Sequence, residues 1–290
     1  MPDATQGENT RAVDLTIAIE ASVEVVWQAI ASAEELVRWF PLEAELEPHQ
    51  GGRLWVSWGD GIEWSSRIDV WEPNRRQRSI AEVPGSSSAE AQAMEPAQSQ
   101  LAVPVAVEYT LEAEAGRTVL RLVHSGFSAS AEWDEFFDAT QTGWMYFLRH
   151  LKHYVERHRG VARRLIRWRR PFTIARADVW RILGDPSALG FGSVRDGSWN
   201  IPDLPGGQGT GEVWLVRQPH AFAGTVPSLQ DGVLFVELEP GGNDGSWHCG
   251  VWLSVYGFDE ARCAALQSAL DRRLDAILPE PLGRTAPTGR

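Results

Sequence analysis

The chain writes one plan twice. "VWQAIASAEEL" (Val26–Leu36) and "VWRILGDPSAL" (Val179–Leu189) each put Val-Trp at the head of an apolar stripe at helical spacing, and each closes on a Leu nine residues after the Trp. Eight residues before each Trp stands Ile19 or Phe172, each in a short run with strand character, "DLTIAI" or "RPFTI". Agreement of strand, gap and helix predicts one fold present in two copies. At 290 residues the chain is too long for one small domain and fits two of ordinary size.

Residues 1–12 are polar and read as a tail. "VDLTIAI" alternates Val13, Leu15, Ile17 and Ile19 with polar partners, the pattern of a half-buried strand. Ser22 is placed to cap a helix carrying Val26, Trp27 and Ile30, and a second short helix, "SAEELVRWF", stops at Pro41. Strand-like runs follow at "GGRLWVSW", "IEWSSRIDVW" and "RRQRSIAEV". Residues 84–100, small, polar and Pro-bearing, read as a loop. "VPVAVEYTLEAE" and "RTVLRLVHSGF" form a hairpin at Gly116. A long helix then carries Trp133, Phe136, Phe137, Thr140, Trp144, Phe147, Leu148, Leu151 and Val155 on one face. Hairpin strands with helices on one side give an α+β layer, most economically a curved antiparallel sheet around the long C-terminal helix.

"IEASVEVVWQAIASAEELVRWF", "GGRLWV", "LVHSGF" and "GWMYFLRHLKHYVE" together resemble the SRPBCC (START-like, helix-grip) superfamily, and within it the bacterial homologues of the activator of the heat-shock protein 90 ATPase. The resemblance spans residues 13–158, departing at Val23, where proline is common, and at the long 84–100 loop. It implies a curved sheet gripping the terminal helix with an apolar cavity between them, and it implies no single chemistry. The second copy, 171–278, is expected to be shorter and divergent. Its elements are "GTGEVWLVR", "VLFVELE", "SWHCGVWLSVY" and a helix with Ala261, Ala265, Leu266, Ala269, Leu270, Leu274 and Ile277 on one face. Residues 159–170 would be a basic connector between the copies.

Alternation then assigns a lining. Leu54, Val56 and Trp58 point inward, as do Ile62, Trp64, Ile68 and Val70, and Val107, Tyr109 and Leu111. His124 shares parity with Leu120 and Leu122. Trp144 and Phe147 face them from the helix, Phe127 follows His124, and Trp39, beside Pro41, would sit at the rim. Such a set is either a close-packed core or a pocket wall with few polar groups. His124 is the one clear polar group, able to orient a ligand, to act as acid or base, or only to satisfy a neighbour.

The reading from sequence is that the first copy binds a small, largely apolar molecule through Trp39, Trp58, Trp64, Tyr109, His124, Phe127, Trp144 and Phe147. A START-like cyclase or hydrolase and a chaperone-interacting module are the alternatives, and an enzyme would need a second converging polar group. No cofactor is implied, since no nucleotide loop, nucleophile elbow or metal motif occurs, and "GGQGTG" leads into a strand rather than a helix. No metal is expected either: two cysteines make no four-ligand site, and His150, His153 and His158 read as a solvated helix face.

Charge is uneven, −15 over residues 1–148, +9 over 149–181 and −6 over 182–290, within a net −12. So acidic a chain is a poor nucleic-acid partner. The basic band "RHRGVARRLIRWRRP" is read as a helix end and connector lying against the acidic first copy. No apolar run reaches membrane-spanning length and no apolar leader precedes the first strand, so no membrane contact and cytoplasmic residence are expected. A chaperone or a second copy of the chain remains a possible partner.

Overall fold

The computed structural model describes residues 10–59, 61–82, 105–204, 207–240 and 247–278. It divides into two compact units, Met1–Gly160 and Val161–Arg290. The first contains β1 (Thr10–Ile19), α1 (Val23–Ala31), α2 (Ala33–Leu36), β2 (Glu43–Leu46), β3 (Arg53–Gly59), β4 (Ile62–Glu72), β5 (Arg76–Ala81), β6 (Ala106–Glu114), β7 (Arg117–Ser128) and α3 (Asp134–His153). The second contains β8 (Arg163–Phe172), α4 (Arg176–Gly184), β9 (Ser198–Leu204), β10 (Gly207–Arg217), β11 (Ala221–Val226), β12 (Gly232–Pro240), β13 (Trp247–Tyr256) and α5 (Glu260–Ile277).

Each unit has its own antiparallel sheet, ordered β1-β7-β6-β5-β4-β3-β2 and β8-β13-β12-β11-β10-β9. In both, the first strand crosses to pair with the last, the rest is a meander, and a helix closes the unit. This is the α+β helix-grip arrangement, made twice. The ladders agree residue by residue. Ile19, Ile17, Leu15 and Val13 face Thr118, Leu120, Leu122 and His124, while Phe172, Arg170, Trp168 and Ile166 face Trp247, Cys249, Val251 and Leu253 at the same steps. The spacing echo is therefore a topological repeat with one strand fewer in the second copy.

Several local details differ from the alternation and composition arguments. Thr10, Arg11 and Ala12 join β1 rather than a tail, and Arg11 is held by the Ser128 carbonyl and the Asp134 carboxylate. Ser22 occupies the N-cap of α1, but its side chain makes no cap bond. It bonds instead to Glu24, which lowers that carboxyl's pKa. β2, β9 and β11 were not legible. The first is four acid-rich residues, β9 carries Pro202 on a sheet edge, and "AFAGTV" has little strand propensity. The basic band is no connector: Arg163–Phe172 is β8, paired with β13 along its length. Within that unit Arg169 meets Glu239 at 2.8 Å, and the Arg170 guanidinium lies over the Trp168 ring. The 84–100 loop lies outside the described residues.

The Gly116 hairpin is a two-residue turn with positive φ at Ala115 (49°) and Gly116 (87°), matching the primed turn that suits strand twist. α3 buries more than the predicted stripe. Trp144, Leu148 and Leu151 are buried as expected, and Thr142, Tyr146 and His150 form a second buried row at four-residue spacing. His150 and His158 are buried, correcting the solvated-face reading; the His150 Nδ1 lies 3.2 Å from the Tyr146 hydroxyl. On α5 only Leu266, Leu270 and Leu274 are fully buried, while Ala261 and Ala265 are exposed.

Candidate functional site

The helix-facing side of the first sheet is a field of rings with a few polar atoms set into it. On β4 alternation brings Trp64, Ser66 and Ile68 inward, then a bulge between Ile68 and Val70 shifts the register. That extra residue reverses the parity, so Val70 shares the outer face with Arg78. Trp71 turns inward instead, meeting Trp27 of α1 edge-on at 5.0 Å. Val70 is therefore not a lining residue.

A second bulge shapes the His-Ser-Gly-Phe run. Across β1 and β7, Val13 faces His124 but Arg11 faces Phe127, so β7 carries one residue more than its partner. Gly126 supplies the positive φ, 95°, that glycine adopts without a Cβ penalty. The result returns Phe127 to the face of His124, with ring centroids 4.7 Å apart. The glycine thus lets the His124 and Phe127 rings lie on one side of the strand.

His124 is 8% exposed, between Phe127, Trp64 (6.3 Å) and Trp144 (6.0 Å). The Trp144 indole Nε1 donates to its Nδ1 at 2.8 Å. Burial pushes the imidazole pKa down to about 3, so the ring is neutral at ordinary pH. A neutral ring whose Nδ1 accepts must carry its proton on Nε2. That Nε2 is buried, and among the described residues no group accepts from it. An unpaired buried donor costs about 1–3 kcal/mol. The geometry makes His124 a fixed hydrogen-bond donor and removes it as a general base, since the one free lone pair is already engaged.

The remaining predicted residues fall in three groups. Tyr109, buried, packs edge-on to Trp144 at 6.2 Å, and burial alone raises its phenol pKa. Trp58, Trp144 and Phe147 gather around a residue that was missed: Phe40, at 5.1, 5.3 and 4.7 Å from them respectively. The signal for it lay in "WFP", where only the Trp was taken. Trp39 is not a rim residue. It is fully buried, stacks on Phe40, and its Nε1 donates to the Ala29 carbonyl at 2.9 Å, so it braces α1 against α2. Alternation also concealed the buried polar residues Ser66, Gln77 and Ser79 on the inward face of β4 and β5. Among the described residues no cluster of His, Cys, Asp or Glu is grouped to hold a metal, and no helix is long and apolar enough to cross a membrane.

The second unit answers this face position by position. Where β1 and β7 align Val13 with His124, β8 and β13 align Ile166 with Leu253, fully buried. Where Gln77, Tyr109 and Leu122 stand side by side, Phe222, Val236 and Val251 do so. These join an apolar core with Trp168, Trp180, Trp199, Leu266 and Leu270.

Comparison with known proteins addresses the first unit. Residues 20–156 match the family described as Activator of Hsp90 ATPase homolog 1-like protein. The N-terminal half carries an activator-homologue-like domain. Among solved structures, a Mesorhizobium loti protein is 20% identical over 51% of this chain and 99% of its own, with a TM-score of 0.42. The Aha1 dimer from Colwellia psychrerythraea is 19% identical over 52% of this chain and 99% of its own, with a TM-score of 0.42. The di-domain ARO/CYC BexL from the BE-7585A biosynthetic pathway is 16% identical and covers 93% of this chain and 100% of its own, with a TM-score of 0.42. A comparison with curated proteins gives no match. The activator-homologue-like domain thus occupies the unit with the polar inward face.

Proposed function

We propose that the activator-homologue-like domain binds a small, largely apolar molecule between its sheet and α3, with the His124 Nε2–H donating to an oxygen of that molecule. The observation that carries this is the tautomer lock: Trp144 commits Nδ1 as acceptor and leaves a buried Nε2–H without a partner. The rings of Trp58, Trp64, Tyr109, Phe127, Trp144 and Phe147, together with Phe40, supply the apolar contact. A ligand burying its body there gains about 25 cal/mol per Å² of apolar surface, and a hydrogen bond to His124 fixes its orientation. Acid–base catalysis by His124 is the weaker reading, because its pKa is about 3 and its Nε2 already holds the proton. Titration with prodan, an aromatic ketone whose emission reports desolvation, tests the proposal. Saturable, blue-shifted binding is expected, weakened about 3- to 10-fold in His124→Phe, as one hydrogen bond to a neutral donor allows. Absence of saturable binding, or equal affinity of the two proteins, would count against it.

A further inference from the structure

The binding reading uses one polar atom of the inward face, and a second is in the same position. Gln77 on β5 is 2% exposed, and its Oε1 is buried without a hydrogen-bond partner among the described residues. Its ladder neighbours on that face are Trp71 and Tyr109. Among the described residues no group donates to that amide oxygen, the neighbouring Tyr109 hydroxyl included. One inward residue is thus an unpaired donor and the other an unpaired acceptor. Gln77 lies in the row of Leu122, two residues along β7 from His124 and two strand spacings away. Ladder geometry puts the two Cα atoms about 12 Å apart. Between them lie apolar and aromatic side chains, among them Val107 and Tyr109.

The second unit offers an internal control. Leu253 stands at the ladder position of His124 and Phe222 at that of Gln77, both fully buried. The two polar residues are present together in one copy and replaced together in the other.

We infer that the ligand is elongated and bipolar: an apolar body with a carbonyl-type acceptor at one end, facing the His124 Nε2–H, and a hydroxyl or N–H donor at the other, facing the Gln77 Oε1. This rests on the binding reading and adds the second pole. It assigns Gln77 as the residue that distinguishes a hydroxylated ligand from its ether or hydrocarbon counterpart.

Two probes with one skeleton separate the ideas. 6-Propionyl-2-naphthol carries a ketone and a hydroxyl at opposite ends of two fused rings, and its methyl ether keeps the ketone but cannot donate. In the full-length protein the naphthol should bind about 3- to 10-fold tighter than the ether, the worth of one hydrogen bond that satisfies a buried acceptor. That preference should shrink to within about twofold in Gln77→Leu and persist in His124→Phe, which weakens both probes alike. Gln77→Met serves the same purpose should the leucine variant fail to fold. Equal binding of the two probes by the parent protein, or a preference that survives loss of the Gln77 amide, would overturn the bipolar assignment and leave the binding reading intact. Failure of both ketones to bind the parent would instead remove the binding reading and this inference with it.

Discussion

The two units make the same ladder and fill it differently. In the second, Leu253 and Phe222 stand where the first has His124 and Gln77, and the Trp168 and Trp247 N–H groups are satisfied by Asp275 and the Ile174 carbonyl, although Arg170 stands at the step of Ile17 and the Trp199 Nε1 is buried unpaired. In the first, the matching side holds His124 and Gln77 with buried polar atoms unpaired. The fold therefore does not require either polar residue, because the second copy closes without them. A protein that keeps two unpaired buried groups forgoes stability on the order of 1–3 kcal/mol for each, and a bound molecule is the simplest thing that would recover it.

Variants can break this comparison, the largest effect coming from the residue that touches most of the site. Trp144→Ala removes a 7%-exposed indole packed on Tyr109, Phe40 and His124. It should lower unfolding stability by roughly 3–5 kcal/mol in denaturant titration and abolish prodan binding. Stability loss far below that range would mean the helix is not seated on these rings.

Next comes an exchange between the copies. Leu253→His places an imidazole where no Trp144-like donor has been arranged, and should cost roughly 2–4 kcal/mol. His124→Leu exchanges one unpaired N–H for another, on Trp144, and should change stability by no more than about 1 kcal/mol. Equal costs at the two sites would show that His124 is as much a packing residue as Leu253.

Acid sharpens the same contrast. The folded pKa of His124, about 3, lies below the unfolded value of 6.5, so the unfolded chain gains its proton first as pH falls. The contribution is complete above pH 6.5 and is lost between there and about pH 3, at about 1.4 kcal/mol per pH unit. Between pH 7 and pH 5 the parent should lose about 2 kcal/mol more than His124→Leu does. Parallel pH profiles for the two proteins would mean His124 is protonatable in the folded state.

A modest effect is expected at Gly126. Gly126→Ala forces a side chain onto φ 95° in the bulge that aligns Phe127 with His124, and should cost about 1–2 kcal/mol with some loss of prodan affinity. A neutral substitution would show that the bulge relaxes freely.

Much of this architecture was legible because it rests on period and spacing. The strand–helix echo and the stripe on α3 are consequences of alternation and helical repeat, and both units follow them. Alternation failed where a strand gained a residue. At Asp69 a bulge exchanged Val70 for Trp71, and at Gly126 another brought Phe127 inward, an event that no period-2 reading contains. Trp39 and Gln77 show a different limit. A Trp beside a proline looks like a rim, and a Gln in "RRQRS" looks solvated, until the helix and the neighbouring strands that bury them are in place. His124 stood out from parity alone, but its role as a donor depends on Trp144, twenty positions away, and on which of its nitrogens that indole occupies.

The measurement closest to the central claim is the protonation and environment of that ring, followed by ¹⁵N-edited NMR of histidine-labelled protein at pH 7 with and without prodan. The account predicts a neutral His124 with its proton on Nε2 in both states, and a downfield shift of the Nε2–H signal with slower exchange as the ketone saturates. A proton on Nδ1, a charged ring, or an Nε2–H signal indifferent to saturating ketone would contradict it.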